Sequence, residues 1–392
     1  MAVTLTSADS ALKSVYLDVV TEQLNSNVNP FLAQINKTTD DVWGKEVKKL
    51  VTYGLNAGIG AGTEDGALPT AGENRYKQFV LPLKNLYGSL EISDKAIRAS
   101  ANSEGAFINL LNAEMEGLVK SSTMNFSRML FGDGSGAIAN ITGSEGNIFR
   151  LDTLANVKVG MSIDIVDSEN NVIAGYEGRK ITLIDSELNE IVFSGETDED
   201  VLRDASYIVM HGSLNNEITG LKKIFNIDAE ELYGVNRASN KWINPTIINH
   251  SGSTFNELEL QKLLDQVEEV SGSAPNFIVC SFGVRRAIQK AFQATNTRID
   301  TVNLNGGYTA ISYNGIPIVV DRYCPKNTIY ALNTNDFAMY QLCDWQWLSD
   351  DDGRVLKQVP GKPVYTATLV KYAELLCSRP CGQGALYNVP EI

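Results

Sequence analysis

The chain has 392 residues, 43% of them hydrophobic, which is enough apolar side chain to fill two or three domain cores. A formal charge of −14 at pH 7 excludes a surface that grips nucleic acid tightly, because neutralising a phosphate backbone takes a basic footprint, although an acidic protein can still enclose nucleic acid. No run approaches 18 apolar residues and no basic start precedes an apolar block, so neither membrane insertion nor export is indicated, and five scattered cysteines suit thiols of a reducing cytoplasm.

From the N-terminus, residues 8–24 carry helical spacing in Leu12, Val15, Tyr16, Val19, Val20 and Leu24, and residues 25–30 break it before a short apolar piece at 31–35. A single amphipathic helix buries its face only on a partner, so this stretch reads as an arm lying against something else. Next, EVKKLVTY and YKQFVLPLKNLYGSLEIS read as strands, and between them residues 54–75 run for 22 positions with six glycines. That length of connection points to a two-stranded arm reaching off its own domain. Residues 103–131 form the longest helical pattern, with Phe107, Leu110, Leu111, Met115, Leu118 and Val119 on one side, Ser103 as N-cap and Gly132 as stop. At about 1.5 Å per residue such a helix spans roughly 43 Å and works as a spine.

From Ile148 the period changes to alternating short strands through residue 210, with turns at 168–171 and 187–189, predicting a small all-β unit inserted into the chain. Residues 255–270 then predict a helix on Leu258, Leu263, Leu264 and Val267, residues 275–280 a buried strand, and residues 282–292 a second helix. Asn314-Gly315 sits between two strand-like runs and supplies the positive backbone dihedrals of a two-residue hairpin turn. Strands are expected at 328–332, 337–341, 353–358 and 363–375, giving α+β character overall.

Chemistry is sparse. GAGTEDG (60–66) lacks the spaced lysine and following helix of a phosphate loop, and no G-x-S-x-G elbow occurs. His211 ends a strand and His250 lies in a polar linker, with nothing in sequence pointing to a partner for general-base work. Cys377 and Cys381 form a C-x3-C pair without a second pair or a nearby histidine, and Asp350, Asp351 and Asp352 lack the alternating spacing of a calcium loop. Glu196, Asp198, Glu199 and Asp200 read as a solvated acidic loop. Trp345 and Trp347 alternate, so both rings face one side of an extended strand, either as an aromatic interface patch or as core packing at a domain edge. No catalytic, cofactor or metal site is assigned. The residues chosen as inter-subunit contacts are Leu55, Glu73, Tyr76, Lys77 and Phe79 on the arm, with Trp345 and Trp347.

This order of parts resembles the major capsid proteins of tailed double-stranded DNA bacteriophages, the HK97-like family, and NGIPIVVDRYCPKNTIYALNTNDFAMYQL is similar to a hairpin entering the core of that fold. The resemblance implies an N-terminal arm (1–44), an extended β-hairpin loop (45–95), a peripheral domain with the spine helix (96–147), an inserted β-rich domain (148–212), an axial domain with returning peripheral strands (213–375) and a C-terminal segment (376–392). It implies a structural protein and not an enzyme, self-assembling into hexamers and pentamers of an icosahedral head around DNA, made in the host cytoplasm and resident in the virion. Implied partners are other copies of the chain, with portal, decoration and scaffold proteins in the same set. The arm is shorter than the scaffolding segment some members begin with, so a separate scaffold or none is expected. Some members also cross-link lysine to asparagine; Lys77 or Lys84 lies near the loop, but no motif carries that role over. The rival readings are an encapsulin-like compartment and an enzyme with an appended β-domain, the latter predicting a cleft with convergent titratable groups and strengthened by Asp321 or Glu374 buried beside His250.

Overall fold

In a computed structural model of the chain, the residues described are 29–40, 42, 44–95, 104–198, 202–294, 301–303, 309–349, 353 and 355–392. The predicted 8–24 helix, the Ser103 cap, Glu199, Asp200 and the Asp350–352 run lie outside them, as do the side chains of Phe107, Leu110 and Leu111. Four units make up the rest.

The first unit is a five-stranded sheet backed by the spine helix, Glu104–Met129. Its two long strands, Phe337–Trp347 and Val364–Cys377, run antiparallel; Lys84–Ser93 pairs with the second along its length, and Asn36–Thr38 lies parallel to the first. Lys84–Ser93 was assigned to the extended loop, but its alternation buries Leu86, Leu90 and Ile92 beneath the helix and so places it in this sheet. Gly88 is where helix and strand meet most closely: a Cβ there would sit 2.9 Å from Ser122 Oγ and 3.1 Å from Leu118 Cδ1. On the helix's buried side Thr123 and Ser127 donate their hydroxyls to the carbonyls of Val119 and Thr123, so neither hydroxyl is stranded. The apolar piece at 31–35 is held by this same unit, with the Phe31 ring 5.2 Å from Phe337 and 6.4 Å from Phe131.

The second unit is the arm, in which Glu46–Tyr53 and Arg75–Pro82 pair from Glu46↔Pro82 out to Tyr53↔Arg75. The third is a closed six-stranded barrel around Phe149, Ile163, Ile165, Ile191, Phe193 and Ile208. The sequence reading began this unit at Ile148, whereas the structure begins it at Ala137: strand Ala137–Glu145 pairs with Ile148–Leu151 on one side and Ala205–Met210 on the other, and closes the barrel. The two expected turns are marked by Asn170 (φ 65°) and Asn189 (φ 55°).

The fourth unit is a seven-stranded mixed sheet centred on the fully buried Phe277–Cys280, which lies parallel to Ile316–Val320 and antiparallel to Ile329–Leu332. Helices Glu257–Ser271 and Phe282–Ala294 pack on it. The first is capped by the Asn256 side chain, which accepts from Leu258 N–H, and stopped by Gly272 at φ 69°. Its buried face uses Leu260, Leu263, Leu264 and Val267, while Leu258, expected inside, is 77% exposed because two residues before Leu260 is about 200° round the helix, on the outer side. The Asn314-Gly315 turn forms with both residues left-handed, at φ 50° and 81°.

Candidate inter-subunit interface

The arm has two unlike faces. Val47, Phe79 and Leu81 on one face are almost fully buried, together with part of Val51 and Tyr53, whereas Leu50 (62% exposed) and Tyr76 (52%) share the other. What covers the inner face belongs to the same subunit. The Tyr53 ring stacks on Trp242 at 4.9 Å with planes 5° apart, Phe79 lies 5.5 Å from Tyr233 and 6.2 Å from Trp242, and Val80 N–H donates to Tyr233 O at 3.0 Å. Tyr233 is itself fixed, donating its hydroxyl to Leu375 O and accepting from Cys377 N–H. A two-stranded ribbon has no core of its own, so this aromatic seat gives the proximal arm its direction.

Beyond Tyr53 the contacts stop. Residues 54–74 are exposed almost throughout, with Leu55 at 88%, Ile59 at 79% and Leu68 at 90%. Three large apolar side chains on one loop with nothing of their own chain over them mark a surface made for contact.

The chosen contact residues divide accordingly. Leu55, Glu73, Tyr76 and Lys77 lie on exposed parts of the arm. Phe79, Trp345 and Trp347 do not: Phe79 faces its own subunit's aromatic seat, and both tryptophans are 6% exposed in the main core, where Trp345 meets Phe126 edge-on at 6.3 Å. The alternation of the tryptophans was real, but the side they share is the one under the spine helix. Trp242 and Tyr233, which carry the arm, were passed over; two bulky aromatics in the otherwise polar stretch LYGVNRASNKWIN were the available signal.

Asp321 lines a cleft of about 750 Å³ together with Asp133, Asp152, Lys222, Arg286 and Glu391, but neither histidine reaches it. His250 is buried, yet its Nδ1 pairs with Glu259 Oε2 at 2.5 Å, nine residues away on the following helix, a carboxylate the sequence reading did not assign to it. His211 pairs with Asp164 at 2.6 Å. Neither Asp321 nor Glu374 bonds to His250: Asp321 accepts from Tyr323 N–H, and Glu374 accepts from Thr219 N–H at 2.6 Å and Leu375 N–H at 3.0 Å. Burial pushes both carboxyls up to about 7. Glu217, almost fully buried, pairs with Arg128 of the spine helix; burial raises its carboxyl while the guanidinium pulls it back. These groups tie the peripheral sheet, the spine helix and the exit of the barrel together. Among the described residues no group of three or more His, Cys, Asp or Glu is arranged to hold a metal, and no helix is long and apolar enough to cross a membrane.

Residues 213–355, which cover the axial sheet apart from its strand Gly384–Tyr387 and include the strand that returns to the spine, match the family described as SU10 major capsid protein. No curated protein matches the sequence. Among solved structures, a chain of the cyanophage A-1(L) capsid asymmetric unit superposes with a TM-score of 0.53 at 12% identity, over 95% of this chain and 93% of that one. The SrpI encapsulin of Synechococcus elongatus (TM-score 0.47, 12% identity, 95% of each chain) and a structure of Mycobacterium phage Bobi (0.47, 10%, 94% and 92%) are also similar. At these identities the likeness is one of fold.

Proposed function

We propose that this chain, which has the HK97-like capsid fold and a central segment matching the SU10 major capsid protein family, is the major capsid protein of a tailed phage, assembling with its own copies into the shell that encloses the genome. The observation that carries the reading is the arm: its base is seated on its own subunit by Tyr53, Phe79 and Trp242, while its tip presents Leu55, Ile59 and Leu68 to nothing in the same chain. An arm of this kind adds contact area between subunits without enlarging any one core, and many modest contacts accumulate into a stable shell. In this reading Leu55, Glu73, Tyr76 and Lys77 touch a neighbour, hexamers and pentamers are the rings that form, and the residues buried as acids serve stability and not turnover. The net charge of −14 suits a container that holds DNA without adhering to it. Electron microscopy of the purified protein tests this directly. Closed shells or capsomer rings are expected, and a discrete monomer or dimer at high concentration refutes it.

A further inference from the structure

Between the spine helix, the barrel and the turn after Ile316–Val320 lies an open crevice of about 610 Å³. Its rim carries Lys158 and Arg322, together with Arg128 and His211, which are already paired with Glu217 and Asp164 beside it; among the described residues no carboxylate lines the crevice itself. In a chain with 47 acidic side chains against 33 Lys and Arg, a wall with cations and no acid is a local reversal of sign. Lys158 and Arg322 are exposed at its mouth, and Arg322 leans on the Tyr323 ring at 5.1 Å. Its floor is apolar and adaptable, built of Leu118, Met124, Met161 and Met210, with Val159 left 61% exposed at the edge.

The arm tip is the opposite in both respects. From Gly54 to Asn74 the sequence contains Glu64, Asp65 and Glu73 and no Lys or Arg, and the same stretch exposes Leu55, Ile59 and Leu68. We infer that the crevice is the receptor for the arm tip of a second copy, with Glu64 and Asp65 meeting Lys158 and Arg322 while Leu68 or Ile59 enters the methionine-lined floor. The inference rests on the capsid reading above and deepens it by naming where the arm lands. A copy cannot fill its own crevice in this conformation, because the aromatic seat fixes the arm's base and the tip is exposed almost throughout. Rim charges of this kind set register and partner choice, and the apolar centre supplies adhesion.

The test uses shells assembled from a mixture of unlabelled and nitrogen-15 chains, treated with a zero-length carbodiimide and digested for mass spectrometry. The expected product joins Glu64 or Asp65 to Lys158 and appears in mixed-isotope form in shells but not in unassembled subunits. In parallel, K158E/R322E is expected to lower shell yield at least tenfold, and adding E64K/D65K to the same chain to restore it, with circular dichroism of the unassembled subunit verifying the fold. If the charge variants misfold, the cross-link on the parent chain decides alone. Shells that form with no cross-link at Lys158, a single-isotope product, or an unrestored double swap overturn the inference and leave the capsid reading standing, with the crevice then open to a small anion or another partner. Absence of shells from the parent chain overturns both.

Discussion

Phe79 and Tyr76 lie three residues apart on one strand and face opposite ways, so they separate holding the arm from using it. Phe79 is fully buried against Tyr233 and Trp242. Truncating such a side chain to alanine costs about 3–5 kcal/mol, of which each ring contact accounts for roughly 0.5–1.5. At 1.4 kcal/mol per factor of ten, about 4 kcal/mol corresponds to a rise on the order of a thousandfold in the population of detached arms. Hydrogen exchange on unassembled Phe79→Ala subunits is the assay, read at Val80, whose N–H bonds Tyr233 O at 3.0 Å, and along Glu46–Tyr53. Exchange there is expected to accelerate by orders of magnitude while the axial sheet keeps its protection, and shell yield is expected to fall. Tyr76→Ala, half exposed on the outer face, is expected to change subunit stability by no more than about 0.5 kcal/mol yet reduce assembly. Unchanged exchange in the Phe79 variant, or equal loss of subunit stability in both, would refute the two-faced account of the arm.

Glu374 is expected to make stability depend on pH. Its carboxyl stands at 4.5 unfolded and about 7 in the fold, so between those values the native state holds a proton that the unfolded chain releases; its contribution is full below 4.5 and is lost as pH rises through 7, on the order of 3 kcal/mol in all. Glu374→Gln is expected to melt higher than the parent at pH 8 and to flatten the slope, leaving the parts due to Asp321, Glu217 and Asp336, whose carboxyls burial also raises; identical melting profiles would sink the assignment. Removing one partner of the buried Arg128–Glu217 pair with Glu217→Ala is expected to cost about 3–5 kcal/mol in chemical denaturation, whereas R128M/E217L together should come close to neutral. Gly315→Ala meets no atom within 4 Å, so its expected cost of about 1–2 kcal/mol comes from the left-handed backbone alone and should be matched by no loss of packing in thermal scans. Deleting residues 55–73 is expected to leave a soluble, cooperatively folding subunit that makes no shells; undiminished shell yield would remove the arm from the assembly mechanism.

Local pattern made much of this fold readable. The spine helix declared itself through length and three-four spacing, and the Asn314-Gly315 hairpin through turn chemistry that only left-handed residues satisfy. The barrel was legible as alternating strands, but its first strand was missed because in Ala137–Glu145, AIANITGSE, the two large apolar residues that reach the core, Ile138 and Ile141, stand three apart among small and polar ones and show no alternation. Leu260 stands in three-four spacing to Leu263, Leu264 and Val267 and so shares their face, whereas Leu258 does not, a distinction the spacing carried. The direction of Phe79, Trp345 and Trp347 was unreadable, since alternation shows that residues share a side without showing which side is covered. The His250–Glu259 pair depended on a strand end and a helix start being folded back on each other.

The barrel leaves and rejoins the chain at one point. Ala137 is paired with Val209, and just outside the barrel Asn215 N–H donates to Ser135 O at 2.8 Å, so the way in and the way out form a short two-stranded neck. Paired strands run about 5 Å apart, a gap that a two-residue turn closes. The barrel is therefore a cassette: its 168–171 and 187–189 turns can drift or carry foreign peptide without reaching the sheet, helix and arm, while its wall at residues 158–161 stays fixed by the crevice it lines. The subunit thus offers one site where display and lattice are inherited separately.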